Sequence, residues 1–481
     1  MPPLEVVLTN RVALFTSDIP ENYSTFLSWR KPNAFFMPSF GKGWDGRIRM
    51  IKRKSISSGL FLATYNEARD TLGVVFKIDD KRRLPSFTKV KMEGARDYQI
   101  EAVKKLQQKS HSGGIILAAT GTGKTYIAGK FFASVLGGCV FIVDELTLLE
   151  QAKADIEKNS GERVGVIGDR RFDPQRITVA TIQTLNKNKK NPAYRKWQAS
   201  VTIVMIDELH MAMNKRNIEV VKALNPLAVF GLTATLQVKK QEIRLRAFEL
   251  CGPVIYEYSL EEGTQEQHLT PGIGVGVDLL RNIPERWPYQ DAYQKFVVKS
   301  RQRNDCIEAL IREGVRRHKF VVCLVDRVAH VERLVERIKD LKVAAIYGKI
   351  RKQERMSSKK SFEKEKLQVL ICNKVFKKGV DIKRADVIID GASMKSTNDA
   401  RQKYGRGVRL HEAKRGLIYF DIGDKIPTDG HNRFKRSATS RRRALKQQGV
   451  ATIKTVWADN ADQIYTEAEK HLDIVLRGYK I

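Results

Sequence analysis

The 481-residue chain reads as an α/β protein, with two successive parallel-sheet domains behind a small basic α+β module. Three observations predict this. Short runs rich in Val, Ile and Phe alternate with helix-like stretches from about Ile115 onward. The series breaks near Pro288 and then starts again, and the first ninety residues share neither the pattern nor the composition. Near-continuous apolar strands separated by amphipathic segments indicate a parallel sheet covered by helices on both faces.

Residues 1–90 form the first expected domain. Their β-like pieces, such as Leu4-Glu-Val-Val-Leu8, are interrupted by Pro and Gly, and 15 Lys+Arg stand against 8 Asp+Glu. Residues 91–260 carry expected strands at Gly113–Leu117, Cys139–Val143, Ile177–Ala180, Val201–Ile206 and Val229–Leu232. A stretch rich in Gly, Pro and acid follows from Tyr258 to Pro288. Residues 261–481 then carry Lys319–Val325, Val343–Tyr347, Leu367–Cys372, Ala385–Ile389 and Gly416–Phe420. The end of this domain is strongly basic, with seven Lys/Arg and no acid between Gly430 and Val450.

Charge bounds the partner. The 87 Lys+Arg against 54 Asp+Glu give a formal net charge of +33, far beyond what solubility needs, so a polyanion is expected and nucleic acid leads. An anionic membrane surface is the other polyanion. No uncharged apolar run approaches the roughly 18 residues of a spanning helix, and Met1-Pro-Pro-Leu-Glu5 lacks the basic start and apolar core of a signal peptide. These features predict a soluble, cytoplasmic protein. Cys139, Cys251, Cys306, Cys323 and Cys372 are scattered without metal-ligand spacing and read as small core residues in a reducing compartment.

The chemistry is most legible at Ala118-Ala-Thr-Gly-Thr-Gly-Lys-Thr125, which follows an apolar strand and precedes a helix. That is the context of a phosphate-binding loop. Thr120, Gly121, Thr122 and Gly123 would turn backbone N–H groups toward phosphates, Lys124 would reach the β- and γ-phosphates, and the Thr125 hydroxyl would hold Mg²⁺. ATP and Mg²⁺ are the expected cofactors. At the end of the run Val201-Thr-Ile-Val-Met-Ile206, Asp207 would hold Mg²⁺ and Glu208 would orient and deprotonate the attacking water. Arg406 and Arg409 lie three apart, so on a helix they would share a face and present guanidinium groups to a γ-phosphoryl. The bland alternative is two solvated arginines on a basic helix.

Six fragments in order make the chain similar to the superfamily 2 helicases and translocases. Arg96-Asp-Tyr-Gln99 resembles the adenine-reading motif, with Gln99 toward the base. Ala118–Thr125 matches the A-x-x-G-x-G-K-T loop, Asp207-Glu-Leu-His210 is similar to the DEAH box, and Gly231-Leu-Thr-Ala-Thr235 resembles the motif coupling hydrolysis to movement. Asn373–Ile382 resembles the motif whose Gly379 and Asp381 approach the nucleotide, and Gln402-Lys-Tyr-Gly-Arg-Gly-Val-Arg409 the arginine-finger motif. The resemblance implies two tandem RecA-like parallel-sheet domains, catalytic roles for Lys124, Asp207, Glu208, Gln402, Arg406 and Arg409, and coupling roles for His210, Thr233 and Thr235. Val179-Ala-Thr-Ile-Gln-Thr184 looks like a phosphate-contacting segment through Thr181 and Gln183, though a β-branched run is equally a strand end. Val143-Asp-Glu-Leu departs from the family, which has Pro-Thr where Asp144-Glu145 stand.

Phe40-Gly-Lys-Gly-Trp-Asp-Gly-Arg-Ile-Arg-Met-Ile51 resembles a segment in the N-terminal domain of phage UvsW-type helicases, which act on branched DNA. Trp44 would offer an aromatic platform, and Arg47 and Arg49 a basic strand face. The alternative is a Gly-rich hairpin with Trp44 in a small core. The function implied is an ATP-dependent DNA helicase or translocase working on forked, branched or four-way-junction DNA. A monomer is the simplest assembly, in the host cytoplasm if the chain is phage-encoded. The alternatives are an RNA helicase or duplex translocase, or a non-enzymatic clamp with a decayed ATP site.

Overall fold

The computed structural model describes residues 2–188, 191–236, 240–281, 283–284, 287–373, 382–393, 397–425 and 433–479. By contact the chain divides into two compact units, Met1–Ala118 with Gly123–Tyr258, and Ala119–Thr122 with Ser259–Ile481.

The first unit is built on an eight-stranded sheet. Its spatial order is Arg171–Asp173, Val164–Gly168, Ile177–Thr181, Gly138–Val143, Val201–Ile206, Ala228–Thr233, Gly114–Ala118 and Val254–Tyr258. Every neighbouring pair is parallel except the edge strand Arg171–Asp173, which runs antiparallel to Val164–Gly168. Because strand side chains alternate faces, Ile115, Val140 and Ile142 join one core while Ile116, Cys139 and Phe141 join the other.

The N-terminal residues form a four-stranded sheet, ordered Ser55–Ser57, Val12–Phe15, Leu4–Leu8 and Phe76–Asp80, and a hairpin pairing Ser28–Arg30 with Arg47–Arg49. Its helix Ser58–Leu72 starts at Ser57, whose Oγ accepts from Leu60 N (3.3 Å), and stops at Gly73 with φ +64°. This helix packs on Gln241–Cys251 of the first parallel-sheet domain so closely that a Cβ at Gly59 would lie 2.8 Å from Gly252 N and Phe248 O. One hydrophobic core therefore runs from Leu4, Phe15, Trp29 and Phe61 into Ile115, Val140 and Leu250.

The second unit holds seven strands, all parallel, in the order Val343–Ile346, Val369–Cys372, Val321–Leu324, Val387–Asp390, Leu417–Lys425, Gly272–Leu280 and Ala451–Val456. Both parallel sheets are of the RecA-like type. Helix Arg301–Arg316 shows how the sheet is covered. Ser300 caps it through Arg303 N (3.3 Å), and Cys306, Ile307, Leu310 and Ile311 form its buried face.

The five cysteines are buried and unpaired by disulfide. No described helix is long and apolar enough to cross a membrane.

Candidate nucleotide and nucleic-acid site

In the first unit the motif residues gather at the carboxyl ends of adjacent strands, where an open α/β sheet places its ligand. Strand Gly114–Ala118 leads into the glycine-rich loop, and helix Lys124–Ser134 begins at Gly123, which caps it at φ +76°. A helix N-terminus preceded by inward-turning N–H groups is suited to phosphate. Gly121 also has positive φ (+96°), and Thr122 Oγ1 donates to Ala119 O at 2.8 Å. Lys124 Nζ donates to Ala118 O at 3.0 Å, and Thr125 follows it, half-buried, in the first helical turn. Thr120 is half-buried in the loop.

Gln99 belongs to this cradle. Its Oε1 accepts from Arg96 N (3.1 Å), capping helix Asp97–Gln108, and its Nε2 lies where a Cβ at Gly123 would approach to 2.6 Å. The carboxamide is thus packed on the loop glycine itself. Tyr98 braces the arrangement, stacking on Tyr258 with ring centroids 3.9 Å apart and planes 9° apart.

Strand Val201–Ile206 delivers the two acids. Asp207 N donates to Ile142 O (2.9 Å), and Glu208 adopts left-handed φ +48° as the chain turns into the short helix Leu209–Met211. Burial first, and the neighbouring Glu208 charge second, push the Asp207 carboxyl up to about 6, while the Lys124 and His210 charges pull it down. The P-loop lysine and both acids therefore share one electrostatic environment. His210 Nδ1 stands 3.4 Å from Glu208 Oε2. The turn packs on strand Ala228–Thr233 at a glycine, since a Cβ at Gly231 would meet Leu209 Cδ2 at 2.6 Å. At that strand's end Thr233 is buried, and its Oγ1 donates to Thr235 O (2.9 Å).

A buried Asp207 carboxyl crowded by Glu208 and beside the P-loop lysine fits a hydrated divalent cation, which would offset the burial and the repulsion that raise it. Thr125 and Asp207 are the residues that the sequence expectation names to hold it.

Thr181 and Gln183 differ from each other. Thr181 is buried at its strand end, where its Oγ1 donates to Thr184 Oγ1 (3.0 Å) as helix Ile182–Asn188 begins. Gln183 is exposed, its Nε2 3.4 Å from Asp144 O. Asp144, which departs from the family pattern, therefore meets that helix through its backbone.

In the second unit, helix Thr397–Gly407 carries Gln402 and Arg406, both half-buried. Arg409 lies beyond its end, which corrects the expectation of one shared helical face. The helix stops at Gly407, whose carbonyl accepts from Lys414 Nζ, and Thr270 N holds the following turn through Val408 O (2.6 Å). Lys403 pins the helix to the sheet. It donates to Asp390 Oδ1 (2.7 Å), and Tyr419 OH donates to Asp390 Oδ2 (2.7 Å). Burial alone would raise the Asp390 carboxyl, but Lys403 and Arg441 hold it below its ordinary value. Gly379 and Asp381 lie outside the described residues.

The C-terminal basic run is only partly a surface. Arg441 Nε and Arg442 Nε bond Asp421 at 2.7 and 2.8 Å inside the domain, whereas Arg443 is exposed. Helix Arg433–Lys446 can approach because strand Gly272–Leu280 alternates glycines, and a Cβ at Gly276 would lie 2.6 Å from the Arg442 guanidinium.

In the N-terminal hairpin, Trp44 is half-buried and donates from Nε1 to Arg47 O (2.8 Å). Arg47 Nε donates to Ser28 Oγ (2.7 Å), and Arg49 is bidentate to Asp45 at 3.0 and 2.7 Å. The tryptophan packed in the core is Trp29, with Arg246 5.4 Å over its ring. Lys403 and Asp390 are absent from the expected site residues; in sequence their signal is a lysine amid a finger motif and an acid closing an apolar strand.

Residues 93–238 match the family described as type III restriction enzyme, res subunit, and residues 302–411 match the helicase conserved C-terminal domain. The chain belongs to the superfamily 2 helicases. It is 23% identical over 398 residues to putative helicase 22 of Sulfolobus islandicus filamentous virus, covering 74% of this chain and 68% of that one. To the ATP-dependent DNA helicase uvsW of Enterobacteria phage T4 it is 22% identical over 440 residues, covering 83% and 86%. The helicase also shares its fold with S. cerevisiae Dbp5 bound to RNA and ADP BeF3, with a TM-score of 0.54 at 14% identity, covering 79% of this chain and 93% of that one. Two other curated relatives are much longer, this chain spanning 29% and 46% of their lengths.

Proposed function

We propose that this helicase hydrolyses ATP to move along DNA, and that it unwinds or branch-migrates forks and four-way junctions. The observation that carries the ATPase reading is the gathering of Gln99, Gly123, Lys124, Asp207 and Glu208 at one sheet edge, with the Asp207 carboxyl responding to the charges of Lys124 and Glu208. Gln99 would fix the base, the loop N–H groups and Lys124 the phosphates, and Glu208 the attacking water. Mg²⁺, when held by Thr125 and Asp207, supplies charge neutralisation on the phosphates. Arg406 and Arg409 would stabilise the charge that develops on the γ-phosphoryl. His210 beside Glu208, and Thr233 tied to Thr235, would pass the state of the site to the nucleic-acid contacts at Thr181 and Gln183.

DNA, and branched DNA in particular, is supported by the net charge of +33, by likeness to the phage T4 enzyme over 83% of the chain, and by a basic hairpin mounted on the first domain's core. Strand displacement on linear, forked, four-way and RNA duplexes of equal length tests it. Faster displacement on the branched DNA is expected. Equal rates on all four, or a preference for RNA, would overturn the branched-DNA reading.

A further inference from the structure

The two most exposed large apolar side chains among the described residues are consecutive, Phe36 at 81% and Phe35 at 72%. A single exposed phenylalanine is ordinary; a contiguous exposed pair is a candidate contact surface. Their rings meet edge to face at 5.7 Å, and Phe35 leans on Phe40 at 5.6 Å.

The loop presenting them, residues 31–46, is held by its own backbone. Lys31 N donates to Gly46 O (2.8 Å), Met37 N to Ala34 O (3.0 Å), Phe40 N to Met37 O (2.9 Å) and Gly41 N to Trp44 O (3.1 Å). At Gly46, φ is +77° and a Cβ would lie 2.9 Å from Ala34 Cβ and 3.0 Å from the Phe40 ring, so only glycine lets the loop close on itself. The tip is therefore ordered before any partner arrives, which lowers the entropic cost of binding.

Its surroundings name the partner. In sequence the loop is bracketed by Arg30 and Lys31 on one side and Arg47 and Arg49 on the other, with Lys42 within it; Arg47 bonds Ser28 Oγ, and Arg49 pairs with Asp45, the single acid of the segment. A cationic base with an aromatic tip complements a chain of phosphates carrying flat apolar faces. Bases inside a duplex are already stacked, so unpaired bases at a strand boundary are the ones that offer such faces.

We infer that Phe35 and Phe36 form a wedge that stacks on unpaired bases at a single-strand/duplex boundary, with Lys31 and Lys42 on the adjoining phosphates. This rests on the DNA-motor reading and adds the element that would part the strands. It adds a second aromatic surface in the same loop as Trp44, whose indole N–H donates to Arg47 O.

The test uses the full chain with Phe35→Ala and Phe36→Ala together, and with both as tyrosine. Both side chains are exposed, so melting should not change. Three readouts are taken: oligo-dT-stimulated ATPase, strand displacement on a fork, and emission of a 2-aminopurine at the branch point without ATP. Stacking on the scale of alanine substitutions corresponds to about 5- to 150-fold weaker fork binding for the alanine pair. Its strand displacement should fall at least about fivefold on that scale, with the 2-aminopurine response lost and the oligo-dT ATPase within about twofold of wild type. The tyrosine pair should behave as wild type.

Wild-type fork unwinding by the alanine pair, or equal damage from the tyrosines, overturns the wedge alone. A wild-type chain without DNA-stimulated ATPase overturns the motor reading and the wedge with it. Unchanged unwinding together with lost sedimentation on phosphatidylserine vesicles would assign the pair to an anionic membrane instead.

Discussion

At the scale of single residues, the proposed nucleotide site rests on close contacts. Gln99 can sit on the glycine-rich loop because Gly123 has no Cβ, and Glu208 leaves its strand in a left-handed conformation that turns it beside Asp207. In the proposed roles the two acids and the lysine divide the work, so their loss should differ in kind. Lys124→Ala should lose productive ATP binding, whereas Glu208→Gln should bind ATP and fail to turn it over. Filter binding of labelled ATP beside a phosphate-release assay separates the two, and normal turnover in either variant would remove that residue from the site.

The residues proposed to carry this chemistry sit in short contiguous motifs, which makes them legible in sequence. A P-loop is eight consecutive residues, and an acid pair ends one strand. Asp390 and Lys403 were not legible in the same way, since their pairing depends on how a helix returns to its sheet.

At the scale of elements, the second domain is organised around buried charge. Asp421 receives Arg441 and Arg442, while Asp424 receives Arg303 (2.7 Å) and Arg281 Nε (2.6 Å). Breaking such a group from one side leaves an uncompensated charge, so Asp421→Asn should destabilise by about 3–5 kcal/mol. Exposed Arg443→Ala should change stability by less than about 0.5 kcal/mol. Thermal unfolding of both variants checks this, and equal effects would contradict the burial of the first two arginines.

A second consequence concerns pH. Burial, then the charges of Arg303 and Arg333, push His330 down to about 3. Asn304 Nδ2 donates to Val298 O, so its Oδ1 is left to accept from His330 Nε2 at 2.8 Å, the neutral tautomer. Below the ordinary histidine pKa the unfolded chain takes up a proton that the folded domain refuses. Stability should therefore fall as pH drops from about 6.5 toward 3, by up to about 1.4 kcal/mol per pH unit. His330→Gln keeps a donor and does not titrate, so melting of wild type minus variant should shift against wild type across pH 7 to 5. A constant difference would contradict the buried neutral histidine.

The same scale shows where the sequence misleads. Gly272-Ile-Gly-Val-Gly-Val277 reads as a glycine-rich break, yet it begins a nine-residue interior strand. Its glycines fall on the face where Tyr404, Thr452 and Arg442 approach, so their spacing records packing rather than a turn. The basic tail misleads similarly, because charge counts do not tell a buried arginine from a solvated one. The strands of continuous Val and Ile, by contrast, lie close to where the pattern puts them.

At the scale of the whole molecule, the N-terminal sheet and the first parallel-sheet domain share one core, bound further by the Arg244–Glu67 ion pair and by Gln241 Nε2 donating to Phe26 O (3.2 Å). Removing residues 1–90 should therefore expose apolar surface and destabilise the first domain, rather than yield an intact motor lacking an accessory. Limited proteolysis and melting of the truncated chain should show early unfolding. A truncated chain melting like the full one would make the module separable after all. Point variants within the hairpin are the sounder route to its function.

The proposed function is that of an ATP-driven motor that answers to DNA. Its most direct test is phosphate release by the full chain at saturating ATP and Mg²⁺, with and without single-stranded and forked DNA, and with Glu208→Gln as the background control. The account predicts slow turnover alone, a rise of at least about tenfold with DNA, and none of it in the glutamine variant. Turnover that is absent, or that DNA leaves unchanged, would contradict it.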